Sequence, residues 1–202
     1  VERGWDGYSS ARPERKMGLH ASPTSTLHFD GVRVPRQNVI GKVGLGFVTF
    51  MKALDVGRIT LGAATLGGAQ TVLEMAVRWA CHRRQFGRAL AHMQSVEFLI
   101  ADMATEIEAL RALVYRTAWL ADEGRPFTRE AGMCKLFGSE VASRCMDRAL
   151  QIHGALGLSR DFPLEAAWRD SRITEIFEGT NEIQRIVIAS DILQEAGVRI
   201  RP

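Results

Sequence analysis

Lysine is scarce in this chain. It occurs only at Lys16, Lys42, Lys52 and Lys135, and arginine supplies the rest of 26 basic residues, which 23 acidic ones nearly cancel to a net charge of +3. The cations are spread along the sequence, with Arg83, Arg84 and Arg88 the densest group, so no basic face of the kind that duplex binding requires is present and nucleic acid is not an expected partner. Arginine forks suit phosphate and carboxylate groups, although coding bias produces the same excess and is the preferred reading. There are only 3 cysteines, an odd count without a C-x-x-C, which supports neither a disulfide framework nor a zinc ribbon and fits a reducing compartment, cytoplasmic or the mitochondrial matrix in a eukaryote. No apolar run approaches the ~20 residues of a membrane-spanning helix, the longest candidate being Ile59 to Ala69, full of glycine and alanine. Metal signatures are missing as well. The residues three before the histidines are Met17, Ser25, Trp79, Ala89 and Leu150, none acidic, which removes the Glu-x-x-His pairs of di-iron bundles. H-E-x-x-H, the phosphate-binding G-x-x-x-x-G-K-[ST] and the G-x-S-x-G nucleophile turn are absent too.

What is present is an apolar fraction of 46% over 202 residues, enough for one sizeable core. The texture changes near residue 43. Before it, turn residues surround short alternating segments, Thr26 to Asp30 and Val32 to Val34, which read as four or so short strands forming the tail of a β domain, 1–43. Such a piece is marginal alone. The opening Val-Glu-Arg-Gly, with no methionine, reads as an internal start within a longer protein. From residue 44 to 202 the period is helical. Val96, Leu99, Ile100, Met103, Ile107, Leu110, Leu113, Val114, Ala118 and Ala121 form one apolar stripe. The spacing predicts helices over 47–82, 94–123, 129–153, 164–172 and 181–196, punctuated by Gly87, Gly124-Arg-Pro126, Gly154 to Gly157 and Gly179. The expected fold is mainly α, an antiparallel four-helix bundle preceded by a partial β-domain segment. The tail, Arg199 to Pro202, is expected to fray.

One carboxylate stands out. Glu178 follows Ile176 and Phe177 and precedes Gly179 at the mouth of a helix. Apolar surroundings raise a carboxyl pKa, as suits a general base, and glycine admits a ligand or another backbone closely. A glutamate answering the positive end of a helix dipole is the plainer alternative.

Ordered motifs then carry a resemblance. Lys16-Met-Gly-Leu-His-Ala-Ser22, Val32-Arg-Val-Pro35, Gly44-Leu-Gly-Phe47, Leu54-Asp-Val-Gly-Arg58, Arg83-Arg-Gln-Phe-Gly87, Gln151-Ile-His-Gly154, Trp168-Arg-Asp-Ser-Arg172 and Phe177-Glu-Gly-Thr180 with Ile183-Gln-Arg185 together resemble the acyl-CoA dehydrogenase family. The likeness runs over the end of that family's middle β domain and all of its C-terminal bundle; the first half of a usual member has no counterpart in this chain. It implies FAD as cofactor, an acyl-CoA thioester as substrate, electron-transfer flavoprotein as acceptor, and a homo-oligomer, tetramer or dimer, whose flavin site is shared between subunits. Glu178 matches the base that removes the α-proton while a hydride passes from the β-carbon to flavin N5. The position matching Gly57 holds the base in some members, and glycine cannot serve. Arg83, Gln85 and Phe86 match the segment that reaches the pyrophosphate and adenosine across a subunit interface, and Gln94, Gln151, Ile152, Gly154 and Ala155 match further adenosine-side contacts. Ala155 replaces a common glycine, and Met93 a common histidine. Thr180 and Glu182 match flavin-side positions, with Thr180 equally readable as a plain N-cap. Asp55, Arg58, Phe177 and Gly179 match the substrate side, with a surface i, i+3 ion pair as the alternative for Asp55 and Arg58. Arg169 and Asp170 are expected to be structural, His153 to be packed or capping, and the cysteines to be core residues. Gly62, Ala63 and Ala64 hint at room near the base of an acyl pocket. An acyl-CoA oxidase-like relative and a non-catalytic structural subunit are the competing functions, and the 202-residue piece alone is expected to be inactive.

Overall fold

The computed structural model describes residues 1–198, so the expected fraying of Arg199 to Pro202 lies outside the described residues. The chain falls into two compact units, Val1–Ala53 and Leu54 onward.

In the first unit, β1 (Tyr8–Ser10) pairs antiparallel with β2 (Leu27–Phe29), setting Tyr8 opposite Phe29 and Ser10 opposite Leu27. Backbone bonds carry the ribbon past the strand ends, from Asp30 N to Gly7 O at 2.8 Å, from Ala11 N to Thr26 O at 2.8 Å and from Glu14 N to Thr24 O at 2.9 Å. Thr26 to Asp30 is therefore extended where expected. The four or so strands are not. Among the described residues of this unit only β1 and β2 are strands, and Val32 to Val34 runs irregularly into the 3-10 turn at Arg36–Asn38. Pro35, which lacks an N–H, begins that turn instead of extending a ladder.

The second unit is helical. It contains most of α1 (Gly46–His82), then a small hairpin of β3 (Arg84–Gln85) and β4 (Arg88–Ala89), followed by α2 (Gln94–Asp122), α3 (Thr128–His153), α4 (Leu164–Ser171) and α5 (Asn181–Glu195). The helix ends lie within a residue or two of the expected ones. Side-chain contacts give the directions. Arg148 reaches Asp102 and Glu106 while Arg116 reaches Glu130, so α2 and α3 run antiparallel. Lys135 meets Asn181 and Arg129 meets Glu195, which makes α3 and α5 antiparallel as well. Gly62 lies against Cys134 and Gly68 against Met146, so α1 runs parallel to α3 and antiparallel to α2, whose Arg111 reaches Gln70; the bundle is up-down-up-down, with α4 as a short brace beside α3.

The predicted α2 stripe faces the core, with Val96, Met103, Ile107, Leu110 and Val114 buried among Leu66, Ala69, Val72, Val141 and Met146. Alpha helices α1 and α3 cross closely. A Cβ at Gly62 would lie 3.0 Å from Cys134 Cβ, and one at Gly138 only 2.6 Å from Thr65 Oγ1, so both glycines are required by packing. Gly62 thus leaves no pocket space, in contrast to the expectation; Ala63 and Ala64 are exposed. Cys134 and Cys145 are buried core residues, and desolvation pushes their thiols up, Cys145 to about 11, away from reactive chemistry. Cys81 is exposed, which corrects its placement in the core. Arg169 pairs with Glu165 one turn earlier at 2.8 Å, a structural intrahelical bridge.

Candidate active site

The loop between α4 and α5 carries Glu178 in left-handed backbone, φ +57°, directly followed by Gly179 at φ +88°. For glutamate this conformation costs on the order of 1–2 kcal/mol, and the surrounding donors show what holds it. The Glu178 carbonyl accepts from Arg58 Nε at 3.3 Å and from Gln184 Nε2 at 3.3 Å, and the Gly179 carbonyl accepts from the same Gln184 nitrogen at 3.0 Å. Gly179 is doubly necessary, because a Cβ there would also lie 2.7 Å from Gln184 Nε2. Glu178 Oε2 is buried without a hydrogen-bond partner and lies 3.0 Å from where a Cβ on Gly57 would stand. An orphaned, buried carboxylate oxygen is costly, and an absent side chain at Gly57 is what makes room for it.

Behind this turn is a buried polar layer. Arg58 is 5% exposed and is bound at 2.8 Å to Asp55, whose other oxygen accepts from Thr128 Oγ1 at 2.7 Å. The pair is therefore largely inside, Arg58 buried and Asp55 half-buried, not the surface bridge considered from sequence: Arg58 turns inward to reach the Glu178 carbonyl. Thr180 caps α5, its hydroxyl accepting from Ile183 N at 3.4 Å. Its neighbour Asn181 is buried, accepts from Lys135 Nζ at 2.6 Å and exchanges hydrogen bonds with Ser139 Oγ at 3.0 and 3.1 Å. Lys135 is fully buried, and desolvation pushes its ammonium down to about 8 despite the nearby Glu175, Glu182 and Glu178. Glu182 is exposed; bonds from its own N–H and from the Thr180 hydroxyl hold its carboxyl below the usual range. Phe177 is exposed beside Glu178.

The remaining residues singled out from sequence gather elsewhere. Arg83, Gln85 and Phe86 lie just beyond the end of α1, Gln94 at the start of α2, and Gln151, Ile152, Gly154 and Ala155 at and just beyond the end of α3. Antiparallel order brings these ends together, but His153 is 18 residues beyond Lys135, about 27 Å along a helix at ~1.5 Å per residue. One chain thus holds two separate groups. In the hairpin, Phe86 at φ +51° and Gly87 at φ +79° form a two-residue turn of the primed type, and Phe86 is 92% exposed. Arg83, Gln85, Gln94, Gln151, Gly154 and Ala155 are exposed, while Ile152 is buried. His153 is packed, its ring stacked on Trp79 at 5.1 Å and bound to Ala149 O at 2.8 Å, and burial pushes its pKa down. Among the described residues no cluster could hold a metal ion and no helix is long and apolar enough to cross a membrane.

The profile of the acyl-CoA dehydrogenase C-terminal domain matches residues 44–193. The chain belongs to the acyl-CoA dehydrogenase family. It is 46% identical over 194 residues to acryloyl-CoA reductase (NADH) of Anaerotignum propionicum, covering 96% of this chain and 49% of that relative. Identity is 44% over 188 residues to the mitochondrial short-chain specific acyl-CoA dehydrogenase of Rattus norvegicus, 93% and 46% of the two chains. The solved butyryl-CoA dehydrogenase of Megasphaera elsdenii superposes with a TM-score of 0.93 at 43% identity, over 96% of this chain and 50% of that one. The chain spans about half the length of the relatives it matches.

Sequence reasoning gave no role to five members of the buried layer, Gln184, Asn181, Ser139, Thr128 and Lys135, although Gln184 stands within the Ile183-Gln-Arg185 motif. A signal for them existed. Lys135 falls on the Ala131, Gly138, Ala142, Cys145 and Ala149 stripe of α3, and Gln184 on the inward face of α5, polar groups at core positions of their helices.

Proposed function

We propose that this chain forms the proton-abstracting half of a FAD-dependent acyl-CoA dehydrogenase site, with Glu178 as the base that takes the α-proton of an acyl-CoA thioester in forming a trans-2-enoyl-CoA. The observation that carries the reading is the buried, unpartnered Oε2 of Glu178, held on a strained turn and facing the space that Gly57 leaves open. A carboxylate kept from every donor of its own chain retains its lone pair for a proton brought by a ligand. Arg58 and Gln184 orient the turn, and the backbone N–H of Glu178 is the group that would polarise the thioester carbonyl, an arrangement worth on the order of 3 kcal/mol per donor. The bound flavin would supply the acceptor for the β-hydride.

The second group of residues fits the far end of such a cofactor. Arg83, Arg84 and Arg88 crowd the exposed hairpin whose tip presents Phe86, and Gly154, at φ +63°, has no atom within 4 Å of its Cβ position, a cradle open to close approach. Their separation from Glu178 fits a site completed by a second copy, Gln94, Gln151, Ile152 and Ala155 serving the partner's flavin and Thr180 and Glu182 the chain's own. Phe177 and Gly179 would wall the acyl group, and the Asp55–Arg58 pair would border the CoA side. Electron-transfer flavoprotein is the proposed acceptor. Likeness to an acryloyl-CoA reductase supports the reverse direction equally, Glu178 then returning the proton to the α-carbon. Because it spans about half the relatives' length, this chain alone is proposed to be inactive.

The test uses the whole natural chain that contains this sequence, mixed anaerobically with a panel of acyl-CoA thioesters while flavin absorbance is followed. Bleaching is expected, with Glu178→Gln slowing it by about 10²–10⁴-fold. Bleaching that survives Glu178→Gln unchanged removes the base assignment, and a bound flavin that no thioester reduces removes the dehydrogenase reading.

A further inference from the structure

Gln184 is among the most deeply buried side chains of the molecule, with no exposed surface. Both hydrogens of its amide nitrogen are used on one feature: Nε2 lies 3.3 Å from the carbonyl of Glu178 and 3.0 Å from that of Gly179. The orientation of the amide follows from chemistry, since carbonyl oxygens only accept and the nitrogen must face them. Its own oxygen, Oε1, is consequently left buried with no partner, close to Gly132, where a Cβ would lie 3.3 Å away. A leucine or methionine would fill this space without burying an unpartnered Oε1, but it would leave the Gly179 carbonyl without its donor. The chain instead keeps an amide between two glycines, Gly132 behind it and Gly179 before it, at the one place where it can bind consecutive carbonyls of a left-handed turn.

We propose that Gln184 is a positioning residue for the reaction: by tying down the carbonyls of Glu178 and Gly179 it fixes the peptide planes of that turn, and so the direction in which the Glu178 carboxylate and N–H point. The inference rests on Glu178 being the base. A turn whose φ angles are both positive has lower-energy alternatives once its carbonyls are released. Rotating the Glu178–Gly179 peptide would swing the carboxylate away from the Gly57 gap, and a misplacement of about 1 Å at a reacting group costs about 10²-fold in rate. Arg58 gives the Glu178 carbonyl a second donor, but the Gly179 carbonyl has Gln184.

The measurement is single-turnover flavin reduction in the whole natural holoprotein, at saturating thioester and over a range of pH. Gln184→Met keeps the side-chain volume and removes both donors. The expected result is a normal flavin content, a reduction rate lower by about 10–10²-fold, a Michaelis constant from a separate steady-state titration within about threefold of wild type, and a displaced apparent pKa for the step. Gly132→Ala is the companion variant: it keeps the amide and presses on Oε1, 3.3 Å from the new methyl, so a loss of about three- to tenfold is expected. A wild-type rate and pH profile in Gln184→Met overturns the inference, whatever happens to its melting temperature. Should that variant yield no holoprotein, an unchanged rate and profile in Gly132→Ala overturns it. Glu178→Gln run alongside separates the two claims, because retained reduction there removes the base itself, whereas its loss with an intact Gln184→Met removes only the positioning role.

Discussion

Two turns in this molecule share an uncommon backbone, a bulky residue in left-handed conformation immediately before a left-handed glycine: Phe86-Gly87 and Glu178-Gly179. They are held in opposite ways. The Phe86 turn is a local device, closed by pairing of Gln85 with Arg88 and Arg84 with Ala89 and by a bond from Leu90 N to Arg83 O at 2.9 Å, with its aromatic ring in solvent. The Glu178 turn has no strand to hold it and is fixed from inside the bundle by side chains of α1 and α5. A turn held by its own backbone presents a side chain to whatever arrives, whereas one held by buried side chains aims a side chain at a set place. Changes at the first should therefore alter affinity, and changes around the second should alter rate.

The largest effect outside the turn itself is expected at Lys135, which anchors the first residue of α5 through Asn181. Its pKa is lowered to about 8 from an ordinary 10.5 by burial. Between those values the unfolded chain binds the proton more tightly than the folded one, so folded stability rises with pH across that window and the full cost of the buried cation applies below it. Relative to Lys135→Met, the wild type should gain about 2 kcal/mol between pH 7 and pH 9.5, read as the difference between denaturant unfolding curves of the two proteins at each pH. A gap that does not change with pH would mean that the ammonium is not desolvated.

The contrast also explains what could be read without coordinates. Helices were legible because Val96, Met103, Ile107, Leu110 and Val114 repeat at helical spacing and because Gly124-Arg-Pro126 and Gly154 stop the chain where caps require it. The primed turn at Phe86-Gly87 could have been suspected from its glycine alone. Glu178 was legible through its motif, but its strained φ and the donors that hold it were not, since Arg58 is 120 residues away and the place of Gln184 on the inward face of α5 does not say which carbonyls it binds. Long-range polar contacts carry no periodic signature. The β segment misled for a related reason: alternation at Val32 to Val34 suits a strand, yet with no neighbouring strand to pair with among the described residues it stays irregular.

A smaller effect is expected on the Gly57 side of the buried turn. Gly57 is inside α1, so Gly57→Ala should favour the helix by about 1 kcal/mol. The new methyl would, however, lie 3.0 Å from Glu178 Oε2, and the carboxylate would have to give way by a few tenths of an ångström. Flavin reduction should slow about tenfold while the melting temperature holds or rises. A rate loss accompanied by an equal loss of stability would assign the effect to damaged packing instead of to aim.

The exposed turn gives the smallest effect and the cleanest contrast. Phe86 is 92% exposed, so removing its ring forfeits little burial, and its φ of +51° is one that glycine adopts without strain. In Phe86→Gly the hairpin should keep its pairing and the fold its stability to within about 0.5 kcal/mol. If the ring instead serves a cofactor held against the hairpin, its loss should weaken flavin retention by about fivefold, near 1 kcal/mol of aromatic contact, measured by equilibrium dialysis. The rate of reduction in the fraction that keeps flavin should not move, because nothing in the Phe86 turn aims Glu178. A rate that falls together with affinity would join the two turns into one device and end the division between a presenting turn and an aiming one.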